Sequence, residues 1–152
     1  SSYTLDEQLE QADTSEKGIF RFGSQWSVLV DEMDSEHAKI FDYCNDIHLK
    51  VKNGAKQEEA LPILKDLASF TTHHFDEEER MMKTHAYPEF DSQKRAHTAL
   101  LANVGETIKN IEEGTRVNMI AVIVFLTDWL KGHILGEDIK YGKYFQERGI
   151  NA

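Results

Sequence analysis

Four stretches of this chain repeat apolar residues every three or four positions, and each carries a histidine on its apolar side. This pattern constrains the fold more than any other feature. A period near 3.6 makes each stretch an amphipathic helix with one face to bury, and a buried imidazole needs partners for its ring nitrogens. The first stripe is Met33, His37, Ile40, Cys44, Ile47 and Val51. It predicts a helix from Asp34 to Lys52, with Asp34 or Ser35 as N-cap and Gly54 just beyond the end. The second helix is expected from Glu58 to Thr84, with Pro62 near its start and Leu64, Leu67, Thr71, His74 and Glu78 inward. The third, Glu89 to Glu113, turns Gln93, His97, Leu100, Val104, Ile108 and Ile111 inward. The fourth, Val117 to Tyr144, does the same with Ile123, Leu126, Trp129, Leu130 and His133. Pro88 disfavours helix at Tyr87 and makes "HAYPEF" a turn. Short connections favour antiparallel neighbours, so the expected fold is all-α, an up-down-up-down antiparallel four-helix bundle.

A chain of 152 residues suits one domain with a sizeable core. Residues 1–25 are polar and lack a sustained apolar stripe; they read as an N-terminal extension or linker with a short helix around Leu5 and Leu9, leaving 26–148 as the folded domain. The net charge of −10 argues against nucleic acid or an anionic membrane as partner. No uninterrupted apolar run reaches the roughly 18 residues of a membrane span; the longest, "MIAVIVFL" at 119–126, suits a buried helix. No signal-peptide pattern opens the sequence. The single cysteine, Cys44, excludes an internal disulfide and falls on the first stripe as a small hydrophobe. A cytoplasmic location is the expectation.

The stretch "THHFDEEERMM", 72–82, offers two competing pairs at i, i+4: His73 with Glu77, and His74 with Glu78. Extending from His74 and Glu78 gives Leu64, Leu67, Thr71, Met81 and Met82, whereas extending from His73 gives Asp66 and Arg80. Helix phase therefore aims His74 and Glu78 at the core and leaves His73, Glu77 and Glu79 to water or the rim. A carboxylate on an apolar stripe is costly unless it is paired or binds a cation. One inward histidine would be an ordinary satisfied core residue; His37, His74, His97 and His133 on four facing helices indicate a shared metal site. Imidazoles and carboxylates without thiolate suit iron, manganese or zinc, and several carboxylates favour a bridged pair of ions. Asp138 lies five residues after His133, roughly 140° around a regular helix. A distortion at Gly136 would bring it back to the site, while Glu137, at i+4, is its rival on geometry alone. There is no HExxH, phosphate-cradling glycine loop, CxxC pair or nucleophile elbow, nor the Glu-x-x-His pair of ferritin-like bundles.

In this order, "DSEH" with His37, "HFDEEERMM" with His74 and Glu78, the "YP" turn, "QKRAH" with His97, and "DWLKGHILGED" with His133 and Asp138 resemble the hemerythrin family, in particular its bacterial domains, over about Trp26 to Phe145. The resemblance implies two iron ions, a non-haem di-iron centre bridged by Glu78, Asp138 and an oxo or hydroxo group. It implies that His37 and His74 serve the iron that binds O2, that His97 and His133 serve its neighbour, and that Trp129, Leu130 and Ile134 wall the O2 pocket. The family expects a fifth histidine four residues before His97, where this chain has Gln93. His85, ahead of the Pro88 turn, is no obvious substitute, and His48 and His73 read as boundary or surface residues. The expected function is binding of O2 or another small ligand without catalysis, as an oxygen- or redox-sensing domain fused to or partnered with a signalling domain. Oxygen storage or transport, and a peroxidase or NO-handling enzyme, are the alternatives.

Overall fold

The computed structural model describes residues 27–28 and 30–150, so the extension expected over 1–25 lies outside the described residues. Helix α1 spans Asp31–Lys52, α2 Gln57–Thr84, α3 Phe90–Glu112 and α4 Met119–His133. From α4 the chain runs through a π-helical turn, Ile134–Asp138, into α5, Ile139–Glu147, so the last two helices form one rod. Cross-links between helices give their directions. Lys39 lies over Phe70 and Glu36 reaches His74, so α1 and α2 run antiparallel. Lys65 meets Glu112 while Glu79 meets Lys94, which sets α2 against α3 in the same way. Gln57, at the start of α2, accepts from the Val117 N–H just before α4, so those two start together. The four rods form the up-down-up-down bundle that the stripes predict.

Local chemistry explains the helix ends. The helix α1 begins a turn earlier than expected, behind Val30, and neither Asp34 nor Ser35 caps it. Asp34 instead holds the incoming segment: its carboxylate accepts from Ser27 Oγ at 2.6 Å and from the Val28 N–H at 2.8 Å. That segment lies against α5 so closely that a Cβ on Gly142 would stand 1.7 Å from the Val28 carbonyl oxygen. Only glycine fits there. Gly54, with φ +84°, follows the end of α1 in the left-handed region. Asn118 caps α4 by accepting from the Ala121 N–H at 3.1 Å.

The core runs the length of the bundle, from Ile47, Leu64 and Ile111 to Met33, Met82 and Phe145. Cys44 is buried within it as expected, and burial pushes its thiol up to about 12. By length and composition the rod Met119–Glu147 could cross a membrane, although no uninterrupted apolar run within it is that long. Its Ile123, Leu126, Leu130, Ile134, Tyr141 and Phe145 are buried in the core, where an all-apolar helix face finds the same stabilisation without lipid.

Candidate metal centre

Each rod contributes to one buried polar cluster. His37 comes from α1, His74 and Glu78 from α2, Gln93 and His97 from α3, and His133 and Asp138 from either end of the α4–π junction; all seven are buried. The stripe spacing turns the first six inward without distortion. Asp138 needs the π turn: i→i+5 bonding widens the helix so that a five-residue step nearly closes a turn, and His133 Nε2 lies 3.0 Å from Asp138 Oδ1. The rival Glu137 is half-buried and faces Lys140 at 3.6 Å. A Cβ on Gly136 would meet nothing within 4 Å, so the turn does not require glycine for space.

The cluster resolves into two triads, His37–His74–Glu78 and His97–His133–Asp138, each with ligand atoms within 4.8 Å of one another. The carboxylates tie the triads together. Asp138 offers Oδ1 to His133 and Oδ2 to His37 Nε2, the latter at 3.2 Å. Glu78 Oε1 lies 3.1 Å from His74 Nε2 and 3.6 Å from His97 Nε2, with Oε2 3.7 Å from His37 Nε2. The imidazoles of the second triad approach each other at 3.1 Å, Nε2 to Nε2. Both ring nitrogens of His37, His74 Nε2, Glu78 Oε1 and Gln93 Oε1 are buried without a well-formed hydrogen bond. Each such atom costs about 1–3 kcal/mol if nothing meets it, and imidazole nitrogens and carboxylate oxygens converging in this way fit a pair of cations.

A surrounding layer orients the ligand atoms. Glu36 accepts from His74 Nδ1 at 2.6 Å and Glu79 from His97 Nδ1 at 2.8 Å. A carboxylate only accepts, so each contact places the proton on Nδ1 and leaves Nε2 facing the centre. Tyr141 donates to Glu78 Oε2 at 2.5 Å. Phe75 stacks on His97 at 3.7 Å and 3°, and Trp129 on His133 at 4.4 Å and 13°. Glu79 corrects the sequence reading. Phase assigned it to the rim, but its half-buried side chain bends to His97 while its other oxygen takes Lys94 at 3.1 Å. Glu36 and Tyr141 escaped notice too. Their available signal was adjacency, Glu36 beside His37 and Tyr141 one turn beyond Asp138.

Burial opposes charge on all of these groups. For Glu78 it is outweighed by the His74 charge and by hydrogen bonds from His37 and His74, which hold the carboxyl well below its usual range. For Asp138 burial and the Glu78 charge push upward, yet His133 and His37 hold it low. Burial pulls His74 down, but Glu78 and Glu36 carry it up to about 10. His37 and His133 rise for similar reasons, through Asp138 above all, whereas at His97 burial prevails and the ring is lowered. Protons on imidazoles thus balance the carboxylates, and bound cations would replace them.

The other sequence expectations fall into place around the cluster. Leu130 lines a small apolar cavity with Ile40, Leu67, Thr71, Leu100 and Leu126, the helical turn next to the histidines. Ile134 is buried and Trp129 half-buried. His73 is exposed, and half-buried His85 sits edge-on to Phe145; neither joins the triads. Gln93 is inside, and its amide nitrogen donates to Asp138 Oδ1 at 3.2 Å.

Residues 28–145 match the profile of the hemerythrin HHE cation binding domain. A bacteriohemerythrin of Clostridium acetobutylicum is 26% identical over 127 residues, covering 81% of this chain and 98% of the relative. Myohemerythrin-1 of Phascolopsis gouldii is 32% identical over 114 residues, 75% of this chain and 84% of the relative. Myohemerythrin of Theromyzon tessulatum is 26% identical over 122 residues, 80% and 90% respectively. With the bundle, the paired triads and this match over most of its length, the chain belongs to the hemerythrin family, whose members bind O2 at a non-haem di-iron centre.

Proposed function

We propose that His37, His74 and Glu78 hold one iron and His97, His133 and Asp138 the other, with both carboxylates shared, and that the domain reports O2 rather than storing it. The observation that carries the assignment is the convergence of two buried triads whose unpaired nitrogens and oxygens face one another. The iron pair would supply reversible, redox-linked binding of O2. The protein's part is positional. Glu36 and Glu79 fix the proton on the far nitrogen of His74 and His97, Tyr141 fixes Glu78, and Phe75 and Trp129 limit rotation of the rings they cover. Trp129, Leu130 and Ile134 provide the apolar wall, which leaves water few partners near the ligand.

Gln93 supports sensing over storage. A polar amide buried beside Asp138 keeps a hydrogen-bonding group inside a site whose dryness would protect bound O2. The readout would pass to a signalling domain or partner protein in the cytoplasm. To test this, protein made in iron-replete cells is assayed anaerobically for iron and then exposed to O2. Two irons per chain and O2 uptake are expected, followed by conversion to the diferric state faster than in a Gln93→His variant. Equal lifetimes would refute the sensing reading; zinc in place of iron would refute the iron assignment. Sustained turnover of peroxide or NO would favour an enzyme instead.

A further inference from the structure

The two halves of the centre have equal protein ligand sets, two imidazoles and one carboxylate each. The polar side chain that α3 adds beside them is Gln93, which is 0% exposed. Its Nε2 donates to Asp138 Oδ1, and that contact fixes the amide's orientation, because an amide oxygen turned toward a carboxylate finds no proton between them. Its Oε1 is left buried with no hydrogen-bond partner. An acceptor in that state needs a donor, since leaving it unmet costs about 1–3 kcal/mol. No donor among the described residues supplies one. A neutral amide oxygen is also a poor substitute for imidazole at a site built from imidazoles, being better suited to calcium or magnesium.

Resting on the reading that these six residues hold two ions, we propose that the ion on His97, His133 and Asp138 keeps an exchangeable position beside Gln93, so that the pair takes two small exogenous ligands, one at each ion. At rest a water fills the second position and donates to Gln93 Oε1, while Nε2 stays on Asp138. This use of both ends of the amide satisfies each of its groups. The ligand class is small and either anionic or hydrogen-bond donating, since Gln93 Oε1 offers an acceptor and the neighbouring ion a positive charge. An anion that cannot donate must displace the water and leave Oε1 unmet, so it binds the second position more weakly than the first.

Azide is the probe. Iron-loaded, oxidised full chain is titrated while absorbance and heat are followed together. Two azides per iron pair are expected, the second weaker. Gln93→His fills the position with imidazole and reduces the stoichiometry to one. Gln93→Leu removes the amide, keeps two, and tightens the second because no acceptor is stranded. A wild-type stoichiometry of one overturns the proposal. If Gln93→Leu then binds two, the amide oxygen is itself the ligand that excludes the second azide. Iron content of these samples, and O2 uptake by the same protein after reduction to the diferrous state and removal of azide, judge the iron pair separately from this second position.

Discussion

Gly142 and Gly132 both sit in the last rod, and alanine should have opposite effects at the two. At Gly142 the new methyl would stand 1.7 Å from the Val28 carbonyl oxygen and 2.8 Å from its carbon, both backbone atoms that no rotamer change can move aside. The entry segment must therefore lift from α5. Lifting it exposes Val28, whose side chain is fully buried, at about 1.5–3 kcal/mol. It also strains the Val28 N–H bond to the Asp34 carboxylate, a charge-assisted contact worth about 1.5–3 kcal/mol when fully lost. Partial relaxation brings the expected cost of Gly142→Ala to about 3 kcal/mol, within the usual range for overpacking. In a domain of this size that lowers Tm by roughly 6–12 °C. A Cβ on Gly132 meets nothing within 4 Å, so Gly132→Ala should stabilise by about 0.5–1 kcal/mol through helix propensity. Urea unfolding of both variants, metal-free to exclude ligand linkage, measures the difference. A loss below about 1 kcal/mol for Gly142→Ala would refute the close-approach argument.

Glu79→Ala should weaken binding of the metal at His97 by about 10–100-fold, the usual effect of removing a histidine's outer carboxylate; competition with a chelator measures it, and Lys94→Ala serves as the mild control. Asp138→Asn should lose iron and Glu137→Gln should not, by metal analysis, because the π turn brings only Asp138 to the histidines. Metal-free protein should lose stability as pH rises from neutrality toward 10. The raised His74 contributes stability that is complete below the unfolded value near 6.5 and gone above about 10, with His37 and His133 acting in the same direction. Iron takes the place of those protons, so the loaded protein should show a flatter profile in denaturation at pH 7 and 10.

The bundle and its six inward polar residues were legible because helix phase is a strong, local signal. His37, His74, Glu78, His97 and His133 each sit where a 3.6-residue period carries the apolar stripe, and burial follows directly from that. Phase says less about groups at the margin of a stripe. Glu36 and Glu79 lie beside the stripes rather than on them, and only a long side chain reaching across a helix interface brings them to His74 and His97. Such reach depends on interaxial distance, which no period encodes. Asp138 required a change of period at one turn; composition allowed the distortion without choosing between Asp138 and Glu137. The cap of α1 was misread for a related reason. Asp34 has the chemistry of an N-cap, but the segment folded back from Val28 uses its carboxylate first.

The π turn also bears on how the last rod tolerates changes in length. A helix that takes i→i+5 bonds for one turn holds one residue more than its axial rise requires, so the stretch Ile134–Asp138 absorbs a surplus residue without passing it on. Upstream, Leu126, Leu130 and His133 keep the phase of an ordinary helix; downstream, Tyr141 and Phe145 keep theirs and return to the same core. The extra residue is confined to the place where Asp138 turns back to His133. To the rest of the bundle, α4 and α5 behave as a regular helix one residue shorter than the sequence that builds it.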